Sequence, residues 1–492
     1  MTLRRRVLDV VLAGLVVALL WEVVGRLGLI AGGAFPALSA IGQSLAADWA
    51  DYPPHLLATL RVAGIGFVAG NTVAVLLAVL FALVPVLERV SRTLLVTLFC
   101  LPIVVVAPIL GVAYDGDQPK IILAALSVFF PTTVSTLVGL RSAPEGALAV
   151  VRSAGGGRVR QLWLVRLRAG LPGLLAGFQV AAPGALLGAI LGEFLGGSTG
   201  LGVYLLGSMG RGEPAKLWAI GLVATTVCAI GYGLFAALRR SLRGTGEQLA
   251  VVSPDMLGRA GGGRAGRVAV LLAGLGVVLL AWYAFLWSTG LPRPVVNSPV
   301  DLVEGLTSSP AAATARERLL TGLGESLPVA LLGVVAGLLV ALLLAVALSQ
   351  FPAVASTVLP FAFVSQTMPL VALTPLLALI FGRGTLTTVV VTISVTFFPS
   401  FVTITQGIAA TPKGALDVLR SVDAGRWTVL RMVTLPHAMP HLFASARLAV
   451  PRALLGVVLA EQLITGTGLG GVLGESRGYL DYQMMWTIAA VV

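Results

Sequence analysis

The chain runs to 492 residues, 57% hydrophobic and 11% charged, with a mean hydropathy of +0.97. A water-soluble domain is about a quarter charged, so this balance excludes a soluble globular protein and describes an integral membrane protein. The net charge of +12 is almost wholly arginine, because lysine occurs only at Lys120, Lys216 and Lys413. The arginines sit in short runs beside apolar stretches, a pattern that sets membrane topology and does not point to nucleic acid.

Arg4, Arg5 and Arg6 precede an apolar run that continues past Trp21 without a small-residue cleavage site, so the start reads as a retained first helix and not a signal peptide. A crossing needs about 20 apolar residues. The first half offers spans at 8–28, 60–84, 92–113, 121–140, 171–192 and 217–238. Within the first of these, Glu22 stands four residues before Arg26, the spacing of a local ion pair. If the spans alternate, Arg4 to Arg6, Arg89 with Arg92, the 141–168 loop and Arg239, Arg240 and Arg243 fall on one side. Asp48, Asp51, Asp115, Asp117 and Glu213 occupy the opposite loops, which predicts a cytoplasmic N-terminus. Cys100 and Cys228 lie in apolar runs and form neither a metal spacing nor a disulfide framework.

A Gly- and Arg-rich stretch, 241–267, then links to a second set of spans at 268–288, 327–348, 356–381, 385–408 and 439–460. The two halves are copies. Adding 267 takes Pro102 to Pro369 and Pro108 to Pro375. Adding 268 takes Pro131 to Pro399, Gly146 to Gly414, Arg152 to Arg420, Pro172 to Pro440, Pro183 to Pro451, Glu193 to Glu461 and Trp218 to Trp486. The predicted fold class is an all-α integral membrane protein, a tandem parallel duplication of a six-helix transmembrane domain. Its domains are 1–240 and 268–492, joined by a cytoplasmic linker at 241–267. The last span of the second copy would begin at Trp486 and end at Val492, roughly 10 Å of helix, so the expectation is either a truncated sixth helix, the favoured reading, or eleven full spans and a stub.

Between its fourth and fifth spans each copy keeps a polar loop of about thirty residues, far longer than most helix connections. The loops carry "RSAGGGRVRQLWLVRLR" (152–168) and "RSVDAGRWTVLRMVTLP" (420–436). Trp427, Leu430 and Val433 recur at three-residue spacing with Arg426 and Arg431 off that stripe, which reads as an amphipathic helix pair broken at 423–425, and at 155–157 in the first copy. Such a pair either lies on the membrane surface or fills a groove on a partner.

These loops resemble the EAA loop of ABC-importer permeases, whose pattern is Glu-Ala-Ala, a glycine three residues on, then Ile-x-Leu-Pro after nine more. In the second copy Asp417, Val418 and Leu419 take the acidic and small positions, Asp423 the glycine position, and Val433, Leu435 and Pro436 the ending. In the first, Ala149 replaces the acid, Gly155 is kept, Val165 and Leu167 match, and Arg168 replaces the proline. "GEFLGGSTGLG" (192–202), "MPLVALTPLLALIFG" (368–382), "TFFPSFVTITQGI" (396–408) and "ARLAVPRALLGVVLAEQLITGTGLG" (446–470) resemble the nitrate/sulfonate/taurine branch. The resemblance covers nearly the whole chain, twice. It implies two type I ABC-importer transmembrane domains fused in one bacterial inner-membrane polypeptide. It also implies an extracytoplasmic substrate-binding protein and two cytoplasmic ABC ATPase subunits that carry ATP and Mg, with no cofactor in this chain. The loops would then be coupling helices, through Arg152, Gly155, Arg158, Leu162, Val165 and Leu167 in one copy and Asp417, Arg420, Asp423, Arg426, Trp427, Leu430, Leu435 and Pro436 in the other.

No lysine is followed by Ser or Thr, so the chain holds no Gly-x-x-x-x-Gly-Lys-Ser/Thr cradle and any ATP drive must come from another subunit. Candidate residues of the translocation path are Arg447 and Arg452, cations inside a span that suit an anionic solute, with Gln179 and Gly184 at the matching places of the first copy. For Arg452 the structural reading, a pair with a neighbouring helix or backbone carbonyls, stands beside the functional one. Glu193 and Glu461 close the fifth spans and either ring the exit or, the favoured reading, bond the Gly-rich loop that follows. Pro102 and Pro369 would kink the matched third spans. His437 and His441 stand at i, i+4, but Pro440 breaks the turn and no acid intervenes, so no metal site is expected. Rival readings are a fused permease for ferric iron or thiamine, a duplicated ion-coupled carrier, and a membrane scaffold.

Overall fold

The structure, a computed structural model, describes residues 3–30, 33–101, 103–241, 264–290, 295–351 and 370–492. Hydrocarbon offers no partner to a backbone N–H or C=O, so a spanning segment must satisfy its own bonds as a helix. Among the described residues the fold is all-helical, and eight helices are long and apolar enough to cross a membrane. They are Tyr52–Leu83, Gln118–Arg141, Arg158–Leu195, Pro214–Ser241, Val268–Thr289, Ala312–Gln350, Thr385–Ala409 and Arg426–Thr465. With a first helix at Leu3–Arg26, they form a tandem duplication of a type I permease domain.

Several predicted edges change, among them the span expected at 327–348, which is Ala312–Gln350. The span expected at 92–113 is two helices, Pro85–Cys100 and Ile103–Ala113. Leu101, which precedes a proline in the sequence, is extended with ψ 116°, the conformation such a residue favours. The fifth spans are much longer than hydropathy suggests, because the second arm of each polar loop runs straight into the span, giving Arg158–Leu195 and Arg426–Thr465. The Glu22–Arg26 pair forms at 2.5 Å, and the Ser39 hydroxyl also donates to Glu22 at 2.6 Å. The final helix is Tyr482–Val491. Pro102, Pro369 and most of the linker lie outside the described residues.

The chain forms two compact units, each drawing on both sequence copies. One comprises Trp49–Gly207, Val223–Glu317 and Glu475–Val492. At its centre Gln118–Arg141 packs against Tyr52–Leu83 and Leu167–Leu195. Small residues permit this approach. A Cβ on Gly70 would stand 2.5 Å from the Ala125 carbonyl, and one on Gly173 would stand 2.7 Å from the Ser135 carbonyl and the Gly139 Cα. Two second-copy elements complete the unit: Arg264–Thr289 lies along Pro85–Cys100, and Tyr482–Val491 along Ile103–Ala113. The other unit comprises Met1–Asp48, Ser208–Leu222 and Arg318–Gly474. There Thr385–Ala409 packs on Leu435–Ala460, and Phe401 and Ile404 are fully buried with Ala341 and Ala345.

The same aromatic tie is built once in each unit. Trp21 donates to the Pro36 carbonyl at 3.0 Å and Trp218 to that of Ala34 at 3.1 Å, with ring centroids 5.2 Å apart. Trp282 donates to the Asn297 carbonyl at 3.3 Å and Trp486 to that of Val295 at 3.0 Å, with rings stacked at 5.6 Å. An indole fills apolar space while its N–H closes an otherwise open carbonyl beyond a helix end.

Because the Gly173 clash is with backbone that cannot rotate away, Gly173→Val is expected to destabilise the chain by about 2–3 kcal/mol. Gly111→Ala, where a Cβ meets nothing within 4 Å, is expected to be neutral by comparison. Thermal unfolding in detergent checks both.

Candidate functional site

In each copy the polar loop folds as a helical hairpin whose second arm heads the fifth span. The first hairpin is Glu145–Ser153, a turn, then Arg158–Gln161. The second is Lys413–Ser421, a turn, then Arg426–Val429. Both turns need one residue in the left-handed region. Gly155 supplies it in the first copy (φ +74°), and Asp423 occupies the same place in the second (φ +50°), where a side chain is strained. Gly157 and Gly425 then start the second arms in extended backbone.

Past those arms each copy inserts one π-helical turn, Leu162–Arg166 and Leu430–Thr434, before resuming an α-helix. The turn does not depend on the Leu-Pro ending, because it forms beside Arg168 as well as beside Pro436. The stripe expected at Trp427, Leu430 and Val433 divides. Leu430 turns inward, while Trp427 stands 73% exposed. In the first copy Leu148, Gln161 and Leu162 are buried, and Val150, Val159, Trp163 and Leu164 face outward. Val418, Val422 and Met432 join Trp427 on the outer face of the second. Arg152 pairs with Glu145 at 3.2 Å between exposed side chains, which contributes little. Arg158 reaches the Leu83 carbonyl at 3.4 Å. Val165, Leu167 and Leu435 are half-buried; Asp417, Arg426 and Pro436 are exposed, and Arg420 lies on the Lys413–Ser421 helix.

At the other end of the fifth spans the two glutamates are buried and committed to the loop that follows. Glu193 accepts from the Thr59 hydroxyl at 2.9 Å and the Gly202 N–H at 3.0 Å, while the Leu201 N–H donates to Thr59 at 2.8 Å. Glu461 accepts from the Ser326 hydroxyl at 2.7 Å and the Gly470 N–H at 3.0 Å, while the Leu469 N–H donates to Ser326 at 2.9 Å. Gly200 (φ +129°) and Gly468 (φ +62°) must be glycine twice over: φ is positive, and a Cβ would fall on the carboxylate at 2.1 and 2.2 Å. The hydroxyl partners Thr59 and Ser326 escape a search for charged residues, although the 267-residue offset that relates Pro102 to Pro369 also relates them.

Of the cations, Arg447 is exposed and Arg452 partly buried, and among the described residues neither has an ion pair or hydrogen bond. Gln179, the first-copy counterpart of Arg447, is buried with its side-chain carbonyl unpartnered. The rings of His437 and His441 lie 6.5 Å apart, and no group of three or more His, Cys, Asp or Glu that would hold a metal occurs among the described residues.

One helical hairpin in each copy heads a helix long and apolar enough to cross a membrane, which makes the chain a multi-pass membrane protein built by duplication. The chain belongs to the family of binding-protein-dependent transport system inner membrane components, which it matches twice, at 70–244 and 333–492. It is 28% identical over 213 residues to a probable ABC transporter permease of Haemophilus influenzae, covering 43% of this chain and 87% of that one. It is 28% identical over 187 residues to a formylaminopyrimidine transport permease of Halalkalibacterium halodurans (38% and 74%). It is 25% identical over 231 residues to a putative aliphatic sulfonates transport permease of Bacillus subtilis (46% and 83%). No solved structure matches the chain. It is therefore an ABC permease of the sulfonate/taurine-containing family, a transport subunit whose family works with ATPases and substrate-binding proteins.

Removing the left-handed strain by Asp423→Gly is expected to stabilise the second hairpin by about 1 kcal/mol, and Gly155→Ala to weaken the first by a similar amount. Thermal unfolding or limited proteolysis of the hairpins reads both. Glu461→Ala, which strands the Ser326 hydroxyl and the Gly470 N–H, is expected to cost about 2 kcal/mol. Unchanged unfolding of that variant would contradict the clasp.

Proposed function

We propose that the chain is both transmembrane halves of one bacterial ABC importer, with permease domains at 1–240 and 268–492 and the linker at 241–267 between them. The positive-inside distribution puts the N-terminus, both hairpins and the linker in the cytoplasm. Two ATPase subunits, bearing ATP and Mg, dock at 141–170 and 409–438, and an extracytoplasmic binding protein delivers the solute to the other face. The observation that carries this reading is the continuity of each hairpin with a fifth span. A push on the exposed Trp163 or Trp427 face is a push on a helix that crosses the membrane, because a hydrogen-bonded helix transmits force along its axis. Closing of the ATPases moves the hairpins, and the spans they head alternate access to the path.

The solute is small and carries an anionic head. Arg452 supports this: a guanidinium inside a span with no protein partner among the described residues is suited to a ligand anion. The relative named for aliphatic sulfonates fits the same chemistry. Arg452→Gln is expected to cut ATP-driven sulfonate uptake in proteoliposomes at least tenfold with ATPase assembly intact; normal uptake removes Arg452 from the path. Single cysteines placed at Arg158 and Arg426 are expected to cross-link to a nucleotide-binding subunit. Labelling of lipid alone would refute docking and leave the hairpins as membrane-surface helices.

A further inference from the structure

The two hairpins share a backbone but present different surfaces. By the duplication, Val159 corresponds to Trp427 and Trp163 to Arg431. Each copy thus offers one large exposed indole, 73% exposed at Trp427 on the second arm and 67% at Trp163 on the π turn that follows the first arm, so the two stand four residues apart in register, about 6 Å of helix. Interfaces concentrate their binding energy in a few such aromatic anchors seated in fitted pockets. A pocket shaped for the indole of Trp163 would receive the guanidinium of Arg431 in the other copy, and a charge buried without a partner opposes binding. The charges differ as well. Residues 145–168 carry five arginines against Glu145, net +4; residues 413–436 carry Lys413 and three arginines against Asp417 and Asp423, net +2.

We propose that the two hairpins are read by two unlike ATPase subunits. One has the more acidic cleft and a pocket for Trp163; the other has a less acidic cleft and a pocket for Trp427. The proposal rests on the coupling reading above, and one experiment separates the two. The full chain is purified with its ATPases, and the intact complex is weighed by native mass spectrometry. Two ATPase subunits of different mass per chain are expected. Trp163→Ala is expected to release one of them and Trp427→Ala the other, each at least tenfold more readily than from the wild type. Two identical subunits, or release of the same subunit by both variants, overturns the proposal while leaving coupling intact. A chain that carries no ATPase overturns both. A chimera with 413–436 in place of 145–168 gives a reading independent of either indole: loss of the first subunit supports the assignment, and retention of both contradicts it.

Discussion

Hydrocarbon contains nothing that can hydrogen-bond a peptide group, and three kinds of helix interruption among the described residues are built around that fact. Where the fifth spans end, buried carboxylates take the N–H groups of the following loop, and a Ser or Thr hydroxyl from another helix takes one more. Beyond the first helix of each copy, two indoles close two carbonyls. Where the hairpins join the spans, the ladder is re-spaced by a π turn and never opened. These are three solutions to one problem, each present in both copies.

On the proposed coupling role, that economy lets the hairpins serve as handles. A polar loop tied by flexible linkers would absorb a push; a helix that continues from Arg158 to Leu195, or from Arg426 to Thr465, passes it on. The π turn joins the exposed arm to the part packed among other helices, and such turns are frequent at functional sites. The glutamate clasps at the far ends of the same helices keep the following loops attached to those ends. The two fifth spans are thus anchored at one end and presented at the other.

The duplication, the all-helical class and most spans were legible in the sequence because hydropathy and a fixed offset report them directly. The hairpins were legible for the same reason, as charge held inside an apolar chain. Helix edges were less so: hydropathy cannot see that Arg158 and Arg426 begin helices that later cross the membrane, because arginine marks the water side whether or not the backbone continues. The π turns have no sequence signature, and their occurrence beside both Arg168 and Pro436 shows why the Leu-Pro motif does not report them. Glu193 and Glu461 stood out as charges, but Thr59 and Ser326 did not, since hydroxyls are common in membrane helices and only their pairing across about 135 residues gives them a role. Trp427, Leu430 and Val433 looked like one stripe because spacing alone does not report which part of the arm packs against the rest of the chain.

The central claim, that the paired hairpins are the surfaces gripped by ATP-hydrolysing subunits, is tested most directly by hydrogen–deuterium exchange on the full chain with and without those subunits. The account predicts protection concentrated at 145–168 and 413–436 when they bind. Exchange left unchanged at both hairpins, with protection elsewhere or nowhere, would contradict it.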